Sequence, residues 1–154
     1  MTLIVIDGPV ASGKSTLARA AVAELERRGR RAVAIDLDDV WASLGGGDAW
    51  DEARVRTAEL AARRLAEGLD VVIAEGSFPE RGGFDGARFV VLRVPFETAL
   101  ARTQADLSRT GSRDPEFLRA NHERTRLVAA GDLEIDTSAT AIATAAAAIA
   151  DLAS

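Results

Sequence analysis

The stretch Gly8-Pro9-Val10-Ala11-Ser12-Gly13-Lys14-Ser15 decides the fold of this chain. It follows a short apolar run, Leu3 to Ile6, which is typical of a strand buried on both faces of a parallel sheet. It precedes apolar residues at helical spacing, which predict a helix from Ser15 to Arg28 that Gly29 terminates. The fold therefore begins with a strand, a glycine-rich turn and a helix.

This stretch has the spacing G-x-x-x-x-G-K-[ST] of a phosphate-binding loop, or P-loop. Its glycines let the backbone curl so that N–H groups point at phosphate oxygens, and the helix N-terminus adds partial positive charge. The motif predicts that Lys14 reaches the β- and γ-phosphates and that the Ser15 hydroxyl ligates Mg²⁺. A chance match in this composition is expected on the order of once in a thousand such sequences. The predicted nucleotide-binding residues of the loop are Gly8, Ala11, Ser12, Gly13, Lys14, Ser15 and Thr16.

Lys14 is the single lysine among the 19 basic residues of this 154-residue chain, and the other 18 are arginines. A lysine kept in such a composition favours a site that needs a compact ammonium group. The formal net charge of −5 argues against nucleic acid or an anionic membrane as the main partner. Because the chain has no cysteine, disulfide scaffolds, cysteine-ligated zinc and thiol catalysis are excluded.

The termini and the chain length predict a soluble, cytoplasmic protein. The first residues lack the basic segment of a signal peptide, and Thr140, Thr144 and Asp151 interrupt the alanine-rich tail, which is otherwise the longest apolar stretch. A chain of this length is one domain by the usual prior and can bury roughly 70% of its unfolded surface. We expect one domain over residues 1–154, present as a monomer or a homodimer.

Apolar runs alternate with helical patterns along the rest of the chain. Further strands are predicted at 32–35, 71–74, 89–92 and 133–135, and further helices at about 48–67, 95–107, 116–129 and in the alanine-rich tail. Because each strand is apolar throughout, we expect a parallel sheet in an α/β domain, with helices on both faces of the sheet. All strands then end at one edge, where the ligand binds.

In its motif and in the order of its elements, the chain resembles the P-loop kinases of small molecules, the group of shikimate kinase, gluconate kinase and chloramphenicol phosphotransferase. A GTPase is excluded because the motif Asn-Lys-x-Asp needs a second lysine. The resemblance implies the three-layer P-loop NTPase fold, with a five-stranded sheet of order 2-3-1-4-5. It also implies an enzyme that uses ATP and Mg²⁺ to phosphorylate a hydroxyl of a small molecule.

Carboxylates follow the second and third predicted strands. On an extended strand Asp36 and Asp38 point to the same side, so both could face one ligand. The stretch is similar to the D-x-D element of shikimate, gluconate and adenylylsulfate kinases, which implies Asp38 as the catalytic base and Asp36 as the carboxylate on the metal side. Capping of the next helix is the alternative for Asp38 and Asp39. The family also implies an acidic residue near the metal or acceptor at Glu75.

The acceptor is expected between the loop after the second strand and the irregular stretch 77–86. Aromatic side chains there suggest a walled pocket, and a core role is the open alternative for each of them. Few arginines flank this region, which favours a neutral or carboxylated acceptor over a heavily phosphorylated one. Besides Asp38 and Glu75, the candidate substrate contacts are Trp41, Trp50, Arg54, Phe78, Arg81 and Phe84.

The polar segment 108–115 is similar to the lid of shikimate-kinase-like enzymes. That resemblance implies that Arg102 stacks on the adenine and that Arg109 or Arg113 contacts the phosphates from the lid, with Arg113 in a catalytic role. Solvated loop charges are the alternative for both lid arginines. Residues 136–138 occupy the place of an adenine-contacting loop, with a helix cap as the alternative.

Two other functions stay open at this point. A nucleoside or nucleoside monophosphate kinase shares the fold, and residues 75–81 are faintly similar to the Asp-Gly-Phe-Pro-Arg stretch of such kinases, in which the arginine holds the acceptor phosphate. A non-catalytic nucleotide-binding module would bind ATP without an acceptor pocket. Asp7, directly before the P-loop, is predicted to be a partner of the loop backbone rather than a catalyst.

Overall fold

The computed structural model describes residues 1–109 and 113–154. Strands and helices alternate along the chain. The strands are β1 (Thr2–Asp7), β2 (Ala32–Asp36), β3 (Val71–Gly76), β4 (Arg88–Arg93) and β5 (Leu133–Asp136). The helices are α1 (Lys14–Arg27), α2 (Leu37–Ser43), α3 (Trp50–Ala66), α4 (Phe96–Ala105), α5 (Pro115–Arg126) and α6 (Ile142–Asp151).

The five strands form one parallel sheet of order β2-β3-β1-β4-β5, which confirms the predicted class and strand order. The central pair, β1 and β3, runs in register from Thr2 beside Val71 to Asp7 beside Gly76. On the other side of β3, Asp36 pairs with Glu75. The parallel register therefore brings the ends of β1, β2 and β3 to one edge of the sheet.

Side chains of each strand alternate between two apolar layers. On β1, Ile4 and Ile6 belong to the layer covered by α1 and α6, whereas Val5 belongs to the layer covered by α2 and α3. A smaller cluster joins Val94 to Ala99 of α4 and Leu118 of α5. Helices on both faces complete the predicted three layers. In the described parts of the chain, no helix is both long and apolar enough to span a membrane.

The region after β2 differs from the prediction of a loop around Trp41. Residues Leu37–Ser43 form α2, and Trp41 lies within it. The helix begins here because Asp36 is its N-cap, with Oδ1 accepting a hydrogen bond from the Asp38 backbone N–H at 2.8 Å. Leu37 and Val40, three residues apart, bury the inner side of the helix. A cap and two apolar residues are a short signal, which is why sequence periodicity missed it.

Candidate active site

The curled form of the P-loop depends on two residues with a left-handed backbone conformation and on one position that has no room for a side chain. Gly13 is the N-cap of α1 at φ +92°, and Ala11 has φ +62°. Among the described residues, Ala11 is the only non-glycine residue with positive φ. A Cβ on Gly8 would lie 2.8 Å from the Ser12 Oγ, which is buried. The loop therefore needs glycine at positions 8 and 13 for two different reasons.

The Lys14 ammonium lies folded across the P-loop. Its Nζ donates hydrogen bonds to the carbonyl oxygens of Gly8 and Pro9, both at 2.9 Å. Burial lowers the pKa of Lys14, and the carboxylates of Glu75 and Asp7 act in the opposite direction. The first turn of α1 contains no acidic residue, so its positive end stays available to an anion.

Asp7 is a partner of the backbone, as predicted. Its carboxylate accepts hydrogen bonds from the N–H of Gly8 at 2.7 Å and of Phe78 at 3.3 Å. Burial raises the pKa of Asp7 even though both hydrogen bonds act to lower it. The side chain thus joins the start of the P-loop to the segment that follows β3.

A hydroxyl and two carboxyl groups meet at the end of β3. The Ser15 Oγ donates to Glu75 Oε1 at 2.9 Å, and Asp36, the partner of Glu75 in the sheet register, brings a second carboxyl group to the same place. Burial of Glu75, together with the charge of Asp36, raises the pKa of Glu75 to about 8. Within the described residues, no group of three or more acidic or histidine side chains forms a closed cation cage. This donor set suits Mg²⁺, which keeps several waters and takes phosphate oxygens as further ligands.

The structure corrects the predicted orientation of Asp36 and Asp38. They do not share one side of an extended strand, because β2 ends at Asp36, which caps α2, and Asp38 lies in the first turn of that helix. Both still lie at the edge of the sheet beside the P-loop. Partial desolvation and the charge of Asp36 raise the pKa of Asp38, and the cations of Lys14 and Arg109 oppose this rise. The Asp38 carboxylate is therefore within electrostatic reach of the Lys14 ammonium.

Two tryptophans, one within α2 and one at the start of α3, stack on each other. The rings of Trp41 and Trp50 lie 4.5 Å apart between centroids, with 6° between their planes. The Trp41 Nε1 donates to the Gly47 carbonyl oxygen at 3.1 Å, across the turn between α2 and α3. The stack and this bond therefore fix the turn between α2 and α3.

The phenylalanines predicted to contact substrate lie in the core. Phe78 and Phe84 are 2% and 3% exposed, and their rings meet edge to face at 5.0 Å. Both pack in the layer that α2 and α3 cover. Both rings therefore support the shape of the region after β3. Phe84 also borders a cavity of about 640 Å³ between α3 and residues 79–84, which Arg54 lines as well.

The two arginines predicted on the acceptor side have protein partners. The Arg54 Nε donates to the Ser77 carbonyl oxygen at 2.9 Å, and its Nη1 bonds to Asp51 at 3.1 Å. The Arg81 Nη2 donates to the carbonyl oxygen of Ala129 at 2.7 Å, and its guanidinium lies 4.4 Å from the centre of the Phe89 ring. Arg81 thus joins the loop after β3 to the segment before β5, and its charge also acts to lower the pKa of Asp7.

A cavity of about 350 Å³ lies on the other side of the P-loop, between the start of α1, α4 and residues 137–145. Arg102 lines it and donates from Nη1 to the Ala11 carbonyl oxygen at 2.9 Å and from Nη2 to the Thr137 carbonyl oxygen at 3.1 Å. Arg109 lines the same cavity and pairs with Asp106 at 3.1 Å. Thr16 also belongs to its wall.

The remaining lid arginine is bonded to the end of α4. The Arg113 Nη2 donates to the Gln104 carbonyl oxygen at 3.1 Å, and the Gln104 Nε2 donates to the Arg113 carbonyl oxygen at 2.8 Å. Asp114 then caps α5 by accepting from the Glu116 N–H. Residues 110–112 of the predicted lid lie outside the described residues.

Sequence reasoning missed Asn121, a buried polar residue of α5 that contacts the P-loop. Its Oδ1 accepts a hydrogen bond from the Val10 backbone N–H at 2.8 Å. Leu118, Asn121 and Thr125 are the buried residues of α5, at helical spacing. An asparagine on the apolar face of a helix is the signal that could have identified it.

The likeness to known proteins covers the whole fold. A family model described as adenylylsulphate kinase matches residues 1–129. No curated protein matches the chain in sequence. A shikimate kinase from Acinetobacter baumannii in complex with shikimate is 22% identical, with a TM-score of 0.65, over 99% of this chain and 92% of that one.

Two further solved structures share the fold at similarly low identity. A gluconokinase from Sinorhizobium meliloti is 22% identical, with a TM-score of 0.62, over 99% of this chain and 93% of that one. A tunicamycin resistance protein from Deinococcus radiodurans is 15% identical, with a TM-score of 0.68, over 98% and 94%. The P-loop, the sheet order and the family model agree, which confirms the predicted group of P-loop kinases that act on small molecules. The chain belongs to the adenylylsulphate kinase family.

Proposed function

We propose that this protein transfers the γ-phosphate of ATP to a hydroxyl group of a small molecule, with Asp38 as the base that accepts the hydroxyl proton. The observation that carries the proposal is the position of Asp38, at the start of α2 and within electrostatic reach of Lys14. A phosphoryl acceptor must lie in line with the γ-phosphate and lose a proton there. The raised pKa of Asp38 favours proton acceptance over that of an unperturbed aspartate.

The nucleotide is proposed to lie along the P-loop, with its base in the cavity that Arg102 and Arg109 line. In this arrangement Lys14 leaves the carbonyl oxygens of the loop and binds phosphate oxygens instead. Ser15, Asp36 and Glu75 would hold Mg²⁺, directly or through water. When bound, the cation neutralises charge that develops on the transferred phosphate.

The acceptor is proposed to carry no phosphate group of its own. Arg54 and Arg81, the two arginines predicted to face it, are bonded to backbone oxygens. Arg54 is also paired with the Asp51 carboxylate, and Arg81 also lies over the Phe89 ring, so turning either guanidinium toward an acceptor phosphate would break contacts within the protein. Phe78 is 2% exposed, and Phe84, which borders a cavity beside α3, is 3% exposed, so neither ring presents an open face on which a nucleoside base could stack. These positions favour a neutral or carboxylated acceptor over the nucleoside monophosphate alternative and over adenylylsulphate.

The test measures ATP-dependent phosphorylation across a panel of polyols, sugar acids, cyclic hydroxy acids, nucleosides, antibiotics and adenylylsulphate. We expect transfer to an uncharged or carboxylated hydroxyl compound. With that acceptor, Asp38→Asn should lower kcat by about 10²- to 10⁴-fold, because the proton loses its acceptor, while the affinity for ATP changes less than about two-fold. Phosphorylation is followed by ³¹P NMR, and ATP affinity by calorimetry.

Asp39→Asn is the matched control, since Asp39 occupies the next position in the same exposed helical turn. It should keep kcat within about three-fold of the wild type. Binding of ATP without transfer to any acceptor would contradict the proposed activity and favour a nucleotide-binding module. Equal losses in the two variants would contradict the assignment of Asp38 as the base.

A further inference from the structure

We infer that Asn121 is a positioning residue for the P-loop: its carboxamide oxygen holds the strained apex of the loop in the form that binds phosphate. The inference rests on the nucleotide binding in the proposed function, but not on the identity of the acceptor. Asn121 is 5% exposed and lies on α5, far along the chain from the loop. Its Oδ1 is 2.8 Å from the Val10 N, and this backbone N–H is the donor.

The apex has a conformation that its own sequence does not favour. Ala11 adopts φ +62°, a region that residues with a Cβ rarely occupy without support from their surroundings. A turn bond across the apex, from the Ser12 N–H to the Pro9 carbonyl oxygen, is 3.2 Å long, at the weak end of the usual range. The apex therefore needs support from outside the loop.

Two side chains supply this support, one on each side of the Val10–Ala11 peptide. The Asn121 Oδ1 accepts a hydrogen bond from the Val10 N–H, and the Arg102 Nη1 donates to the Ala11 carbonyl oxygen at 2.9 Å. The apolar parts of Val10 and Ala11 pack against the cluster of α4 and α5 that includes Leu118. The orientations of this peptide and of the N–H groups after it are consequently set by α4 and α5.

This arrangement has a consequence for binding that depends on the phosphates. The P-loop binds phosphate through backbone N–H groups that must point inward together. Removing the Asn121 oxygen leaves the Val10 N–H without its acceptor and frees the apex to turn. The cavity for the base shares Ala11, Ser12 and Gly13 with the loop, but Arg102 of α4 and Ile142 and Ala145 of α6 supply further walls. The phosphates depend on the N–H groups of the loop, whereas adenosine also contacts these other walls, so loss of the Asn121 oxygen should weaken ATP binding more than adenosine binding.

The test compares wild type with Asn121→Leu, which keeps the size of the side chain and removes the acceptor. We expect the affinities for ATP, ADP and inorganic tripolyphosphate to fall about ten-fold, which corresponds to about 1.4 kcal/mol. The affinity for adenosine should stay within about two-fold. All four are measured by calorimetry on the full chain, and KM for ATP should rise by the same factor as Kd.

Thr125→Val is the matched control on the same helix. Thr125 is 4% exposed, and its hydroxyl donates to the His122 carbonyl oxygen within α5, so this variant removes a buried polar group without touching the P-loop. It should change thermal stability without changing the ratio of ATP to adenosine affinity. If Asn121→Leu does not fold, Asn121→Ala is used for the same comparison, since it adds no bulk.

A parallel loss of ATP and adenosine affinity in the Asn121 variant would overturn the inference, as would unchanged affinity for all four ligands. An equal shift of the affinity ratio in Thr125→Val would overturn it as well. If the wild type transfers no phosphate, the proposed function is contradicted but this inference is not, because the inference depends only on the ratio of ATP to adenosine affinity.

Discussion

The two sides of the P-loop are built in different ways. On the nucleotide side, residues distant in sequence converge on the loop: Arg102 from α4, Asn121 from α5 and Glu75 from β3 all contact it. On the acceptor side, Arg54 and Arg81 bond to the backbone, and Phe78 is buried. The nucleotide side is therefore formed by side chains that converge on the P-loop, whereas the side chains of the acceptor side mostly stabilise their own surroundings.

This difference indicates which part of the site has its geometry fixed by other residues of the protein. Phosphate is the same in every nucleotide, so a site for it can be fixed by the backbone and by residues that orient the backbone. An acceptor site determines which small molecule is used, and among the described residues most of its candidate contacts are already engaged within the protein. Substitutions on the nucleotide side should therefore change binding and turnover, and those on the acceptor side, apart from the proposed base Asp38, should mainly change stability.

Among substitutions on the nucleotide side, the largest effect is expected at Lys14. Lys14→Met should lower kcat on the order of 10³-fold, because the variant loses the preorganised positive charge that contacts the transferred phosphate. Lys14→Arg should not restore activity, because a broad guanidinium does not fit the space between the loop carbonyls that the ammonium occupies. Turnover is measured with the acceptor found in the panel. More than a tenth of wild-type activity in Lys14→Arg would contradict this role.

The single lysine also allows a chemical control on the unmodified protein. Amine acylation can reach only Lys14 and the N-terminus. ATP with Mg²⁺ should protect Lys14 and leave the N-terminus reactive, as mass spectrometry of the peptides can measure. Equal labelling with and without nucleotide would show that Lys14 is not in the phosphate site.

A smaller loss is expected from Arg102→Leu. This variant removes the bonds to the Ala11 and Thr137 carbonyl oxygens and one wall of the cavity for the base. Affinities for ATP and for adenosine should both fall roughly ten-fold, about 1.4 kcal/mol. Calorimetry with each ligand distinguishes this from the phosphate-specific loss expected at Asn121. An unchanged adenosine affinity would remove Arg102 from the base site.

The same substitution on the acceptor side should have a different outcome. Arg81→Leu removes a bond to the Ala129 carbonyl oxygen and a cation–π contact with Phe89. The free energy of unfolding should fall by about 1 kcal/mol, and KM for the acceptor should stay within about two-fold. Urea denaturation and initial rates measure the two quantities. A large rise in acceptor KM would mean that Arg81 contacts substrate.

The smallest effect concerns Asp7, which links the two sides through Gly8 and Phe78. Burial raises its pKa in the folded protein above the unfolded value of 3.8, so the folded state holds the proton more tightly. Asp7 therefore makes the protein less stable as pH rises above about 4. The stability of Asp7→Asn relative to wild type should increase between pH 4 and pH 7, as urea denaturation can measure.

Asp70→Asn supplies a control of opposite sign. The backbone N–H and side chain of Arg31 lower the pKa of Asp70, so its contribution to stability is present above the unfolded pKa and lost as pH falls. Relative to wild type, this variant should lose stability as pH rises through that range. The same pH trend in both variants would contradict the account of Asp7.

Much of the fold follows from patterns that repeat along the chain. The apolar strands and the helices of regular period predict the fold class, and the spacing of the P-loop predicts the position of the phosphate site. The sheet order follows from the family resemblance. The prediction that Asp36 and Asp38 lie on one side of a strand is wrong, because a single capping bond starts a helix directly after Asp36. Local bonds of this kind leave little periodic signal.

The contacts of the site were harder to predict than its location. Arg81 and Phe78 follow a strand at the expected edge, yet one bonds to residues before β5 and the other packs in the core. Both outcomes depend on segments far away in sequence. Asn121 was missed for the same reason, since its partner lies 111 residues away and only burial marks it as unusual.

The stacked pair of Trp41 and Trp50 provides a built-in optical reporter. The chain has two tryptophans and no tyrosine, so its tryptophan emission originates entirely from this one stack beside the turn between α2 and α3. Rings 4.5 Å apart and almost parallel couple their transitions, which should give a paired positive and negative band in circular dichroism. Any compound that shifts α2 against α3 will change that signal, so unlabelled protein can be screened for its acceptor by light alone.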